Sequence, residues 1–132
     1  MLTDGGRHHA GYKGAARDCA CRAIAIATGL SYQDVYDAIN AEAGESCART
    51  GVTKPVINRV LAGLGWTWTP TMSIGSGCTV HLRADELSSG RVIVRVSRHL
   101  VAVIDGVIHD THDSTRGGTR CVYGYWTRAV RT

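Results

Sequence analysis

Two β-branched runs, Leu100 to Ile104 and Val107-Ile108, are separated only by Asp105-Gly106. Asp-Gly between such runs is the strongest short-range hairpin signal, because a two-residue turn of the favoured hand needs positive φ at both central positions. That turn fixes a register. Ile104 then opposes Val107, Val103 opposes Ile108, Ala102 opposes His109, Val101 opposes Asp110, and His99 opposes His112. Side chains alternate between faces, so His99, Val101, Val103, Ile108, Asp110 and His112 share one face. His99 and Asp110 become diagonal neighbours, roughly 7 to 8 Å apart at the backbone and within reach of a side-chain hydrogen bond.

The hairpin belongs to a second half of β character. Arg91 to Ser97 is also β-branched, and Cys121 to Thr127 supplies an aromatic strand, so a C-terminal antiparallel meander is expected. The first half is helical in pattern. Ala-rich sequence from Cys19 to Thr28 follows Asp18, a good N-cap residue, and stops at Gly29. Ser31-Tyr32-Gln33-Asp34 is a capping-box-like start, with Tyr32, Val35, Tyr36 and Ile39 forming an apolar stripe that ends near Gly44. Thr53-Lys54-Pro55 opens a third helix, with Ile57, Val60, Leu61 and Leu64 on its apolar side and Gly65 closing it. Trp66 to Thr69 alternates like a strand that Pro70 ends or places at an edge. Thr79 to Leu82 is a candidate short strand and Ala84 to Leu87 a candidate helical turn. Helices packed on an antiparallel sheet define an α+β domain.

At 132 residues the chain fits a single domain, 1–132, in which 1–17 is an irregular, basic and Gly-rich arm containing His8 and His9. The net charge of +4 is mild and spread among acids, which permits nucleic-acid binding without indicating it. No apolar run approaches the roughly 20 residues of a membrane span. Five cysteines without framework spacing, and no apolar N-terminal signal, predict free thiols and a cytoplasmic location.

Cys19 falls in the first turn of the first helix. Unpaired backbone N–H groups and the positive end of the helix dipole stabilise a thiolate there, which makes a nucleophile. The same Cys19 and Cys21 also fit small buried hydrophobes. A histidine oriented by a carboxylate, as His99 is by Asp110, is a general-base arrangement; it also fits a satisfied core histidine or a surface pair at a strand end. Nucleophile, base and orienter in that chain order, with the cysteine opening a helix and the others on adjacent strands, follow the order of papain-like cysteine peptidases.

The stretches Asp18 to Gly29 and His99 to Thr111 resemble compact papain-like proteins of bacteriophage genomes, and are similar in plan to the C39-like peptidases that process bacteriocins. The resemblance covers about a third of the chain. It implies a papain-like fold, with Cys19 as nucleophile, His99 as base and Asp110 as third member. It further implies a thiol hydrolase or acyl transferase acting on amide or isopeptide bonds of a protein or peptide, in a host cytoplasm if phage-encoded. Such enzymes carry a glutamine six residues before the cysteine to help form the oxyanion hole; here that position is Lys13, which can donate to an oxyanion. The competing reading is a non-catalytic phage protein that engages a host protein through its basic arm and aromatic face.

Weaker candidates complete the set. His112 could replace His99 as base, whereas Asp113 points to the other face. Trp66, Trp68 and Trp126, with Tyr123 and Tyr125, are candidates for a substrate groove or for core and rim. Neither Cys-x2-Cys nor His-x3-5-His spacing occurs, so no metal and no cofactor is expected.

Overall fold

A computed structural model describes residues 3, 5–6, 18–44, 52–72, 77–83, 87, 90–96, 99–110 and 120–128. Three helices come first: α1 (Cys19–Thr28), α2 (Tyr32–Ala43) and α3 (Lys54–Gly63). Five strands follow: β1 (Trp66–Pro70), β2 (Arg91–Val96), β3 (His99–Ile104), β4 (Val107–His109) and β5 (Gly124–Arg128). The domain is α+β, with one antiparallel sheet.

Local chemistry accounts for the helix ends. Gly29 takes a left-handed conformation, φ 77°, and its N–H bonds the Ala25 carbonyl, which stops α1. Arg91 Nη1, from β2, donates to the Ile26 and Ala27 carbonyls at 3.2 Å each, satisfying the exposed end of α1 and tying it to the sheet. In α2, Ser31 Oγ accepts from the Asp34 N–H at 3.0 Å, half of the expected capping box. Pro55 lies at the start of α3, where its missing N–H costs nothing.

The hairpin forms with the register that its turn dictates. Ala102 pairs with His109, Val103 with Ile108 and Ile104 with Val107. Asp105 and Gly106 have φ of 49° and 80°, and Gly90 N–H donates to Asp105 Oδ1 at 2.8 Å, pinning a non-glycine residue in the left-handed region. The sheet order is β1-β5-β2-β3-β4, which corrects the simple meander. β5 does not lie beside β4. It inserts between β1 and β2, pairing Trp126 with Trp68 on one side and with Ile93 on the other. The driving force is burial: Trp126 is 1% exposed, and an aromatic side chain removes on the order of 200 Å² from water, roughly 5 kcal/mol of gross transfer free energy.

Alternation along β2 and β3 gives the sheet two apolar faces. Ile93, Leu100, Ala102 and Trp126 meet the three helices, and Val92, Val94, Val96, Val101 and Val103 form a second cluster with Leu82 and Val122. Thr79 to Leu82 is not a full strand. It makes an isolated bridge, His81 to Cys121, flanked by Leu82 N–H to the Arg120 carbonyl and Val122 N–H to the Val80 carbonyl, each at 2.8 Å. Of the proposed turn at Ala84 to Leu87, positions 84–86 lie outside the described residues.

Candidate active site

Cys19 is the first residue of α1 and His99 the first of β3, so the ends of two packed elements converge at one rim of the sheet. The hairpin return brings in Asp110, one residue past β4 and only 4% exposed. His99 Nε2 lies 2.5 Å from Asp110 Oδ2. That contact uses one ring nitrogen, and the same imidazole interacts electrostatically with the Cys19 thiol. The structure therefore brings Cys19, His99 and Asp110 into one connected set.

The electrostatics follow from those contacts. Burial alone pushes the Cys19 thiol up, but the His99 hydrogen bond, the Leu100 N–H and the charges of His99 and Arg22 outweigh it and hold the thiol below its ordinary value. For His99, burial pulls the imidazole down; hydrogen bonds to Asp110 and Cys19, with their negative charges, overcome this and raise it to about 9. Both shifts act in the same sense: each favours the charged form of its own group, thiolate on Cys19 and imidazolium on His99.

Behind Asp110 stands a group that the sequence reading did not single out. Arg22, 7% exposed on α1, donates from Nη1 to Asp110 Oδ1 at 3.0 Å and from Nε to Asp18 Oδ1 at 2.9 Å. Tyr32 Oη donates to Asp18 Oδ2 at 2.8 Å. A chain of contacts thus runs from Tyr32 through Asp18, Arg22, Asp110 and His99 to Cys19. Asp18 occupies the N-cap position yet makes no side-chain cap, because its carboxylate serves Arg22 and Tyr32. The available signal was a guanidinium inside an Ala- and Ile-rich helix, four residues after an aspartate.

The remaining candidates separate clearly. Cys21 is fully buried, with its thiol 3.7 Å from the Tyr32 carbonyl, and is a packing residue. Trp66 and Trp126 lie in the core rather than along an open groove, a correction that follows from their pairing with α3 and β2 neighbours. Only Trp68 of the three keeps appreciable exposed surface, with its ring centroid 4.4 Å from that of Trp126 and the Lys54 ammonium 5.2 Å above it. Lys13, His8, His9, Cys47, His112 and Asp113 lie outside the described residues. The expectation of free thiols throughout is corrected. Cys78 and Cys121 form a disulfide, because the His81–Cys121 bridge aligns two segments 43 residues apart in the chain.

No helix among the described residues is long and apolar enough to cross a membrane. In comparisons with known proteins, no family, no curated protein and no solved structure matches this chain.

Proposed function

We propose that the chain is a papain-like thiol hydrolase or acyl transferase that acts on amide or isopeptide bonds of a protein or peptide. The observation that carries this reading is a helix-opening cysteine electrostatically coupled to a histidine that a buried carboxylate holds through Nε2. A core histidine needs one partner; this one has both a nucleophile and an orienter.

In the proposed reaction, Cys19 thiolate attacks the carbonyl carbon and the C=O electron pair moves to oxygen. The first-turn N–H groups of α1, which Asp18 does not cap, are suited to receive that oxyanion. The intermediate collapses as the C–N bond breaks, and the His99 imidazolium gives its proton to the leaving amine. Neutral His99 then takes a proton from water, or from an acceptor amine, as that nucleophile attacks the thioester and releases Cys19. Asp110 stabilises the imidazolium at each stage. Lys13 is the proposed additional oxyanion donor.

The test is labelling with a panel of electrophilic peptide and isopeptide probes, followed by intact-mass analysis and peptide mapping. One adduct at Cys19, abolished in Cys19→Ala and slowed in His99→Ala, supports the enzyme. Labelling of Cys19 no faster than that of a free thiol in solution would leave the non-catalytic binding protein as the better reading.

A further inference from the structure

Away from the candidate active site, Cys78, His81 and Cys121 gather their donor atoms within 4.8 Å of one another. Cys78 is exposed and the other two are half-buried, so the cluster opens to solvent. Cys78 Sγ lies 3.5 Å from His81 Nε2. In a tetrahedral zinc site with Zn–S of about 2.3 Å and Zn–N of about 2.0 to 2.1 Å, the sulfur-to-nitrogen edge is itself about 3.5 Å. One edge of a metal site is therefore already in place.

We infer that Cys78, His81 and Cys121 form a three-donor zinc site when the disulfide is reduced, the disulfide and the metal being alternative occupants of one clamp. The two sulfurs of a tetrahedral site stand about 3.8 Å apart. With Cα atoms 5.7 Å apart, the backbone spacing already suits two thiolates on one metal once the sulfur–sulfur bond is broken and the side chains can turn. The backbone is rigidly held for this purpose. The His81–Cys121 bridge and its flanking hydrogen bonds fix the donors' relative positions, and buried Leu82 and Val122 anchor both segments on the second face of the sheet.

The chemistry balances in two steps. A dithiol reductant transfers two electrons and two protons to the disulfide and becomes a disulfide itself, leaving Cys78 and Cys121 as thiols. Zinc then displaces one proton from each thiol and accepts the His81 Nε2 lone pair. Water fills the fourth position from the exposed side. The Cys-x2-His spacing of Cys78 and His81 carries only two of the three donors, so the site becomes visible only once the bridge to Cys121 is known.

Cobalt(II), which reports thiolate ligation by charge-transfer absorption and tetrahedral geometry by its visible bands, is the probe. The full chain is reduced with a phosphine, which ends as phosphine oxide and leaves two thiols, and is titrated anaerobically beside the oxidised protein. Expected are one equivalent bound by the reduced form with both signatures, displacement by zinc, and no thiolate band in the oxidised form. Cys78→Ser should abolish the band. His81→Ala, which keeps both cysteines and hence the disulfide, should weaken binding at least about tenfold. No thiolate band in the reduced protein, or an unchanged affinity in His81→Ala, would overturn the site. The same titrations in Cys19→Ala, which removes the other thiol that stands beside an imidazole, should give the same band and affinity, and loss of the band there would overturn the site.

Discussion

Arg22 reaches Asp110 across 88 residues of sequence, its Nη1 lying 3.0 Å from Oδ1 of a carboxylate whose other oxygen holds His99. A first-helix residue thereby fixes the orienter of a hairpin histidine. The guanidinium also holds Asp18, so one planar fork serves two buried carboxylates. Arg22→Met should destabilise the fold by roughly 3 to 5 kcal/mol, because it removes the shared counter-charge of two buried acids, while Asp18 keeps the Tyr32 hydroxyl and Asp110 keeps His99. Arg22→Lys should recover only part of this, since one ammonium cannot span both oxygens. Urea unfolding of the three proteins measures the difference.

The pH dependence of turnover should be bell-shaped. Its acid limb should lie below the ordinary thiol value, as Cys19 deprotonates, and its alkaline limb near 9, as the His99 imidazolium loses its proton. Asp110→Asn removes the strongest contact raising His99, so the alkaline limb should move down. Stability carries the same sign. His99 has a folded value above its unfolded 6.5, so its contribution is complete below pH 6.5 and is lost as pH rises through about 9. Initial rates and thermal unfolding across that window check both statements.

Thiol reactivity should rank the cysteines. Iodoacetamide at neutral pH should label Cys19 first, with Cys21 silent in the core and Cys78 and Cys121 silent as the disulfide. After reduction, exposed Cys78 should label next. Peptide mapping at short times that finds Cys21 ahead of Cys19 would move the nucleophile by two residues.

Cys19→Ala should abolish acyl release from a chromogenic amide, and His99→Ala should lower it by about 10²- to 10⁴-fold. Asp110→Asn should retain more activity than either, because the base remains and only its charge and orientation suffer. Steady-state kinetics on proteins of matched secondary structure give the ranking.

A Cβ on Gly124 would overlap the Trp68 ring and stand 2.8 Å from the Thr69 carbonyl oxygen. Backbone oxygen cannot swing aside as a flexible side chain can. Gly124→Ala should therefore cost about 1 to 3 kcal/mol. It should also disturb Trp68 fluorescence, whereas Gly63→Ala, with open space around it, should do neither.

What could be read from the sequence was whatever local chemistry decides. Asp105-Gly106 fixed the register that puts His99 beside Asp110, and Ser31, Gly29 and Pro55 marked helix ends correctly. Pairings made over long sequence distances were hidden. Cys78 and Cys121 meet through a bridge that neither segment announces, and β5 finds β2 through the burial of Trp126. Asp18 was misleading because an aspartate before an Ala-rich helix has an obvious local role, and only the tertiary fold shows its carboxylate given to Arg22 and Tyr32.

The position of β5 bears on how such a chain is made. It is last in order among the described strands, yet it is what joins β1 to β2. Until it emerges during synthesis, β1 stays with the helices, and the β2–β3–β4 unit has an unpaired edge on the side that β5 will take. Asp110 stands only a short stretch before Gly124, so the ribosomal tunnel still encloses the hairpin while β5 is being made, and Cys19 meets its base only as the sheet closes. Closure of the sheet and assembly of the thiol–imidazole pair are thus one late event, which spares the chain a reactive cysteine on an open sheet edge.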